Sequence, residues 1–319
     1  MRASSEKTVI DAIETSLKNP ELRPIVRRFL QGEISAHVTL LQLLTESDLE
    51  SAAEAIETME RAAERSGGSS FSERIAELSL LYRDNRERCA AMARSLDEQV
   101  DFEPDGESDS ARVAHYGQLF DSLVLESPEA SVAAYSFGRE DILAQSTSEI
   151  VDLLIGWNVI HRQRSVLQIG CGIGRFEAAL APMVGSATGI DISPRMIETA
   201  RGRCASLNNV TLHVTTGLDL GSFSDGEFDL VYAVDSFPYV VGVGMDLAQT
   251  YFAEAGRVLR PRGDFVILNF SYRESVERDQ IDVARLAEKN GFDVLVNGEA
   301  PFRLWNGAAF HLRKSGGTG

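Results

Sequence analysis

The feature that most constrains this chain is an apolar run that leads directly into three closely spaced glycines, Val166–Gly174. The residues Val166–Ile169 predict a buried strand, and the sequence Gly-Cys-Gly-Ile-Gly predicts a tight turn before a helix. Glycine adopts positive φ and carries no Cβ, so a ligand can lie directly against such a turn. The helix behind the turn would offer that ligand unpaired amides and the positive end of its dipole.

A second segment, Ala187–Asp191, strengthens this prediction. Asp191 ends the next apolar run, about 20 residues after the first glycine, where a nucleotide-binding βαβ unit places the carboxylate that binds its ribose. The two segments together predict a nucleoside pocket. Asp191 has one alternative role, because it could cap the helix that starts at Ser193–Pro194.

The composition is that of an ordinary folded protein with an acidic surface. The chain has 319 residues, of which 44% are hydrophobic and 25% charged, and its net charge is −17. Such a charge repels polyphosphates, so neither nucleic acids nor membranes are expected partners. The cysteines Cys89, Cys171 and Cys204 are too few and too scattered for a disulfide framework or a metal site. With a charged N-terminal stretch and no apolar run of membrane length, the expected location is the cytoplasm.

Two composition changes predict the domain organisation. Apolar residues recur at helical spacing through residues 1–100, which predicts a helical N-terminal domain. Residues 101–111 alternate acidic residues with a proline and a glycine, which predicts an exposed linker. The remainder, 112–319, is expected to form a second domain that contains the glycine-rich turn.

Strands and helices alternate through most of this second domain. Predicted strands over 165–169, 210–214, 228–234 and 263–270 are separated by segments with helical periodicity. Alternation of this kind predicts a mostly parallel sheet with helices on both faces. The last two predicted strands, near 292–298 and 307–313, are close enough to pair in antiparallel fashion at the sheet edge.

Three further segments follow the glycine-rich turn in order: Gly189–Ser193, Phe228–Asp235 and Glu254–Asp264. A nicotinamide-binding enzyme would carry G-x-G-x-x-G near its first strand, whereas these glycines run G-x-G-x-G. The four segments resemble the motifs of class I S-adenosylmethionine-dependent methyltransferases over roughly residues 112–313. The resemblance implies an α/β, Rossmann-like sheet of seven strands, mostly parallel with an antiparallel last strand, after an all-α N-terminal domain. It also implies S-adenosyl-L-methionine as the cofactor.

The resemblance assigns cofactor contacts residue by residue. Asp191 would accept hydrogen bonds from both ribose hydroxyls, and Ile192 and Met196 would enclose the adenine ring. The other implied contacts lie near the ends of the strands: Gln168, Gly170, Cys171, Gly172 and Gly174 around the first turn, Thr216, Gly217 and Leu218 after the third strand, Asp235 after the fourth, and Tyr135 before the first.

Two of these positions depart from the family pattern. Gln168 stands where the family usually has an aspartate or glutamate, and Thr216 stands where an acidic residue usually contacts the adenine amino group. An amide can hold the same hydrogen bonds without charge, so a weakened electrostatic contact is expected at Gln168. Backbone amides of Gly217 and Leu218 could still contact the adenine.

The candidate catalytic residues are Asp235, Tyr239 and Tyr116. Asp235 would orient the sulfonium side of the cofactor, act on the substrate, or simply cap a turn. Pro238 and Tyr239 partly match the Pro-Pro-Tyr signature of enzymes that methylate amino groups. Tyr116 precedes the first strand, in the region that such enzymes use to cover the cofactor, where an aromatic face would attract a sulfonium.

The expected function is transfer of the sulfonium methyl group to a nitrogen or oxygen of a small molecule by in-line displacement. The N-terminal helices would serve as a lid, a substrate wall or a homodimer surface. Two alternatives remain open. The cofactor could instead support aminocarboxypropyl transfer or cyclisation with release of methylthioadenosine, or the chain could be a non-catalytic partner subunit that binds the cofactor.

Overall fold

The computed structural model describes residues 2–65, 71–90, 108–273 and 275–316, with side chains from residue 7 onward. The chain divides into two compact units. A helical unit comprises Met1–Glu103, Ala133–Leu143 and Arg303–Asn306, and an α/β unit comprises Pro104–Val132, Ala144–Phe302 and Gly307–Gly319. Residues 101–107 of the predicted linker lie outside the described residues.

The helical unit is built from amphipathic helices around one apolar core. Phe29, Leu40, Met59 and Leu78 are each fully buried in this core. The sequence prediction of a helical N-terminal region is therefore confirmed for the described residues. The helical unit contains the helices α1 Arg2–Ser16, α2 Arg23–Gln31, α3 Ala36–Thr45, α4 Leu49–Arg65 and α5 Ser72–Asp84, with 3₁₀ turns at Pro20–Leu22 and Ala134–Ser136.

The α/β unit contains a seven-stranded sheet. Its order is β3-β2-β1-β4-β5-β7-β6, and β1 to β5 run parallel, whereas β7 is antiparallel to both β5 and β6. The predicted sheet and its antiparallel last strand are confirmed. The strands are β1 Ser165–Ile169, β2 Ser186–Asp191, β3 Val210–Val214, β4 Phe228–Val234, β5 Leu259–Leu268, β6 Phe292–Glu299 and β7 Ala309–Lys314.

The strand β5 begins earlier than the sequence predicts. Pro261 and Gly263 favour a turn between a helix and a strand, which is why the prediction placed the strand start at 263. In the structure β5 already begins at Leu259, and the irregularity is absorbed by a register shift in its pairing with β4, between Phe228 and Leu230. A bulge of this kind accommodates a proline that a regular ladder would exclude.

Two short helices of the α/β unit, α7 Pro128–Val132 and α11 Phe237–Val243, are absent from the sequence prediction. The segment of α11 contains three valines and a glycine, which favour a strand or a loop, although its proline lies in the first helical turn where it is tolerated. The helices are α6 Asp109–Glu126, α7 Pro128–Val132, α8 Glu140–Gly156, α9 Arg175–Leu180, α10 Pro194–Arg203, α11 Phe237–Val243, α12 Met245–Val258 and α13 Val276–Lys289.

An aromatic cluster in the core explains why α11 forms. Phe237, the first residue of α11, is fully buried and stacks on Phe270 with ring centroids 5.5 Å apart. It also meets Phe252 and Phe265 edge-on at 6.0 and 6.1 Å. Each such pair contributes about 0.5–1.5 kcal/mol beyond the burial of its area. Packing around Phe237 therefore fixes the chain directly after the end of β4.

No helix among the described residues combines the length and the hydropathy that a membrane span requires.

A buried ionic cluster in the sheet is centred on Asp264 of β5. Its side chain is completely buried and accepts hydrogen bonds from Arg164 at 2.6 Å, from His311 at 2.9 Å and from Arg313 at 2.8 Å. Burial alone would raise the pKa of this carboxyl, but the hydrogen bonds from His311, Arg164 and Arg313 hold it below its usual value. Asp264 is therefore an ionised group that balances two arginines.

We expect Asp264→Asn to lower the free energy of unfolding by about 3 kcal/mol, because the arginines lose their buried counter-charge. Urea denaturation followed by circular dichroism measures the change. Asp293→Asn, an exposed position on β6, is the matched control and should change stability by less than about 0.5 kcal/mol. Equal stabilities for the two variants would contradict this view of the cluster.

Candidate active site

The glycine-rich turn joins β1 to α9 at the carboxyl edge of the sheet. Gly170 has a φ of +70°, a value that residues with a side chain rarely adopt. A Cβ at Gly170 would also collide with the Cβ of Ser236, which directly follows Asp235 beyond the end of β4. The hydroxyl of Ser236 donates a hydrogen bond to the carbonyl oxygen of Ile169 at 2.6 Å. The turn is thereby held in close contact with the residues after β4.

Asp191, at the end of β2, ties the same turn to the start of α10. Its Oδ2 accepts the amide N–H of Gly172 at 2.8 Å, and its Oδ1 accepts the amide N–H of Ser193 at 2.9 Å. The helix cap is Ser193, whose hydroxyl oxygen accepts the amide of Met196 at 3.0 Å. Burial raises the pKa of Asp191, whereas the amide hydrogen bonds lower it. Each carboxylate oxygen keeps a further lone pair for a ligand hydroxyl.

The loops after β2 and β3 meet beside Asp191. Gly217 has a φ of +74°, and a Cβ there would lie 2.5 Å from Cγ2 of Ile192. Met196, in the first turn of α10, is 1% exposed. Thr216 is exposed, and its hydroxyl oxygen accepts the amide of Leu218 at 3.4 Å. Ile192 and Gly217, both predicted to lie beside an adenine ring, are therefore close together.

Gln168 and Cys171 have partners inside the protein. The Oε1 of Gln168 accepts the hydroxyl of Tyr232 at 3.1 Å, and its Nε2 donates to the carbonyl of Gly170 at 3.4 Å. Cys171 is 3% exposed beneath the turn. Both side chains support the glycine-rich turn from below. A direct contact with the cofactor stays a prediction for each of them.

Asp235 lies at the carboxyl end of β4 in a left-handed conformation, with a φ of +55°. Its Oδ1 accepts one hydrogen bond from Nδ2 of Asn269 at 2.8 Å and another from the hydroxyl of Tyr272 at 3.0 Å. Burial raises the pKa of the Asp235 carboxyl to about 6, against the lowering effect of these two hydrogen bonds. The sequence analysis missed Asn269 and Tyr272. Both residues come just after β5, at the same sheet edge as Asp235, and this position could have identified them as candidate site residues.

Four aromatic rings form a group with Tyr239 at its centre, and one of them, Tyr272, is hydrogen-bonded to Asp235. The ring of Tyr239 meets that of Phe120 at 5.0 Å, that of Tyr116 at 5.1 Å and that of Tyr272 at 5.7 Å between centroids. Burial and the charge of Asp235 raise the pKa of Tyr239. The structure thus brings together the three predicted catalytic residues, with Tyr272 connecting the aromatic group to the carboxylate.

One predicted cofactor contact, Tyr135, belongs to the helical unit. It lies in the 3₁₀ turn Ala134–Ser136 and is 4% exposed. The other predicted site residues all belong to the α/β unit. The role of Tyr135 stays a prediction.

The site carries two sets of groups along one sheet edge. On the side of β1 and β2, the glycine-rich turn and Asp191 offer a close backbone approach and free carboxylate lone pairs. On the side of β4 and β5, Asp235 lies among tyrosine rings. Carboxylates and aromatic faces both attract a positive charge, so the edge suits a ligand with a diol at one end and a cation at the other.

Residues 167–267 match the sequence model of the family described as Methyltransferase domain. The match runs from β1 nearly to the end of β5 and includes the glycine-rich turn, Asp191 and Asp235. Together with the strand order, it shows a methyltransferase domain over residues 167–267. S-adenosyl-L-methionine is the cofactor that such a domain implies.

Two curated proteins illustrate the similarity. The chain is 38% identical over 107 residues to demethylmenaquinone methyltransferase from Tropheryma whipplei. This alignment covers 34% of this chain and 42% of that protein. It is 30% identical over 134 residues to 2-methyl-6-phytyl-1,4-hydroquinone methyltransferase from Synechocystis, covering 41% of this chain and 40% of that protein. The chain thus matches less than half the length of either relative.

A solved structure shares the fold. Phosphoethanolamine N-methyltransferase 1 from Haemonchus contortus aligns with a TM-score of 0.53 at 17% identity. The alignment covers 69% of this chain and 52% of that one. At this level of identity, the likeness concerns the architecture alone.

The residues present fit the cofactor. The ribose diol matches the two oxygens of Asp191, which accept the amides of Gly172 and Ser193 and keep lone pairs for ligand hydroxyls. The sulfonium is a cation, and Asp235 with the neighbouring tyrosine rings provides the surroundings that a cation favours. The donor set at the sheet edge is therefore consistent with both ends of the adenosyl sulfonium.

Glu177 of α9 lies beneath the site as an unusual buried acid. Its side chain is completely buried, and neither carboxyl oxygen has a hydrogen-bond partner among the described residues. Burial raises the pKa of Glu177 to about 8, and the charge of Asp191 adds to this effect. Glu177 is therefore mainly protonated at neutral pH.

We expect Glu177→Gln to stabilise the protein more at pH 8 than at pH 5. The folded protein holds a proton that the unfolded chain releases near its ordinary pKa of 4.5, so wild-type stability is highest below that value and falls as the pH rises through 8. Glutamine cannot ionise, and the advantage of the variant should grow with pH to the order of 4 kcal/mol. Urea unfolding of both proteins at the two pH values measures this, and a pH-independent difference would refute it.

Proposed function

We propose that this protein transfers the methyl group of S-adenosylmethionine to a nitrogen or oxygen atom of a small molecule. The observation that carries the proposal is the packing of Ser236 on Gly170. Because Ser236 follows Asp235 directly, this packing supports a site in which the acceptor-side carboxylate lies next to the turn that would hold the methionine half of the cofactor.

The residues of the chain have distinct roles in this proposal. Gly170 and Gly172 let the backbone approach the cofactor, and Asp191 accepts the ribose hydroxyls. Ile192 and Met196 flank the adenine. When bound, the cofactor supplies an already activated methyl group on a positively charged sulfur.

Catalysis then depends mainly on alignment. Asp235, Tyr239 and Tyr116 would hold the acceptor atom in line with the carbon–sulfur bond and keep water away. Such positioning lowers a barrier by up to about 7–11 kcal/mol in favourable cases. The residues therefore need to orient the acceptor more than to react with it.

Two observations favour a small-molecule acceptor. The net charge of −17 repels nucleic acids, and the names of the two relatives refer to a demethylmenaquinone and to a 2-methyl-6-phytyl-1,4-hydroquinone, which are quinone-type molecules and not macromolecules. We expect the protein to act in the cytoplasm. The helical N-terminal domain would form a lid, a substrate wall or a homodimer surface.

The product formed from the cofactor tests the reaction type. We expect incubation of the full chain with labelled S-adenosylmethionine and a panel of small phenols and amines to yield adenosylhomocysteine. Chromatography separates this product from methylthioadenosine, which would indicate aminocarboxypropyl transfer or cyclisation instead. Normal cofactor binding with neither product would favour the non-catalytic partner subunit.

We expect Asp191→Ala to bind S-adenosylmethionine at least tenfold more weakly than the wild type, because each lost hydrogen bond to a charged group is worth about 1.5–3 kcal/mol. Isothermal titration calorimetry measures the affinity. Asp191→Asn, which keeps the shape but not the charge, should give an intermediate loss, and Asp293→Asn is the matched control. Wild-type affinity in a folded Asp191→Ala variant would show that the ribose binds elsewhere.

A further inference from the structure

The carboxylate of Asp235 has two oxygens in different situations. Oδ1 accepts both the Asn269 amide and the Tyr272 hydroxyl. Oδ2 accepts no hydrogen bond from the part of the chain that the structure describes, and Asp235 is partly exposed. One oxygen therefore fixes the carboxylate, and the other is available to a ligand.

The backbone around this carboxylate is also held in place, by strand pairing and by backbone hydrogen bonds. Val234 and Leu268 are register partners at the ends of β4 and β5. The next residue of each chain segment, Asp235 and Asn269, adopts a left-handed conformation with φ of +55° and +71°. Their amides donate to the carbonyls of Leu268 at 2.9 Å and of Ala308 at 2.7 Å. Non-glycine residues in this region cost about 1–3 kcal/mol and cluster at functional sites.

The groups that face Asp235 come from several elements. Tyr272 and Asn269 follow β5, Tyr239 belongs to α11, and Arg175 of α9 contributes a positive charge from further away. Tyr116 of α6 reaches the group through its contact with Tyr239. Arg175 is itself hydrogen-bonded to the hydroxyls of Ser146 and Thr147 and lies over the ring of Phe176.

We propose that Oδ2 of Asp235 accepts the proton of the methyl acceptor, that Asn269 and Tyr272 position this carboxylate, and that the acceptor is a phenol. The proposal rests on the proposed methyl transfer. In the reaction, the phenol oxygen forms a bond to the methyl carbon, and the carbon–sulfur bond breaks with its electron pair going to sulfur. The phenol proton passes to Oδ2 and from there to water.

The chemistry of the site favours a phenol over an amine. A phenol has one donor for one free carboxylate oxygen, and it becomes a better nucleophile as its proton moves towards Oδ2. An aliphatic amine is protonated at neutral pH, with a pKa far above that of Asp235, so the carboxylate would stabilise the unreactive ammonium. The rings of Tyr239, Tyr116 and Tyr272 also offer edges and faces for packing a planar ring.

The positioning role can be measured without a substrate. In the full chain with ¹³C-labelled aspartate, NMR titration should show that Tyr272→Phe raises the pKa of Asp235 by about one unit, because a hydrogen bond to the charged form is lost. Tyr251→Phe, a buried tyrosine of the core, should leave this pKa unchanged. An unshifted Asp235 in Tyr272→Phe would overturn the positioning role.

Steady-state kinetics test whether Asp235 is the base and whether the acceptor is a phenol. Asparagine tolerates the left-handed backbone conformation, so the Asp235→Asn substitution removes the charge while the backbone keeps its conformation. For phenols in the panel, we expect kcat/KM to fall at least 100-fold in Asp235→Asn. In Tyr272→Phe the acid limb of the pH profile should move up by the same unit that NMR shows. Tyr251→Phe should retain wild-type turnover and its pH profile.

The outcomes separate this inference from the proposed function. If calorimetry shows normal cofactor affinity and adenosylhomocysteine forms only with amines, the phenol assignment fails while methyl transfer stands. Undiminished turnover of phenols by Asp235→Asn removes the proton-accepting role alone. If no adenosylhomocysteine forms with any acceptor, the proposed function and the acceptor class fail together, and the NMR titration still decides the positioning role of Tyr272.

Discussion

The site depends on the carboxylate of Asp191, which joins the glycine-rich turn after β1 to the chain between β2 and α10. One oxygen holds the glycine-rich turn and the other holds the chain just before α10, so the ends of β1 and β2 keep a fixed spacing. This arrangement has an electrostatic requirement, because a buried carboxylate is stable only while amides or ligand hydroxyls surround it. Structural support and ligand recognition therefore use the same two oxygens.

Sequence analysis predicted the sheet well for a physical reason. The central strands β1 and β4 are mainly apolar runs that end just before Gly170 and Asp235, so they have the bounds that their sequences indicate. The start of β5 was wrong because a bulge absorbs Pro261, and a bulge is a property of strand pairing. The helix α11 was missed because its valines favour other structures and only the aromatic core around Phe237 makes it helical.

The site was predictable only in part, for a related reason. Gly170, Asp191 and Asp235 lie at strand ends within recognisable segments, so their approximate location followed from the order of the strands. Asn269 and Tyr272 come after the last recognised segment, and no local pattern marks them. Gln168 shows a further limit, because its sequence position suggests a ligand contact while its amide is engaged by Tyr232. Hydrogen-bond partners that are distant in sequence decide such roles.

The segment Arg303–Asn306 lies between β6 and β7 in sequence, yet it is counted with the helical unit, where the hydroxyl of Ser35 donates to the carbonyl of Leu304. The residues Ala133–Leu143 also belong to the helical unit, although they lie between two segments of the α/β unit in sequence. The polypeptide therefore changes from one unit to the other several times. No truncation at a single point of the sequence therefore separates the two units, because residues of the helical unit remain between and beyond segments of the α/β unit.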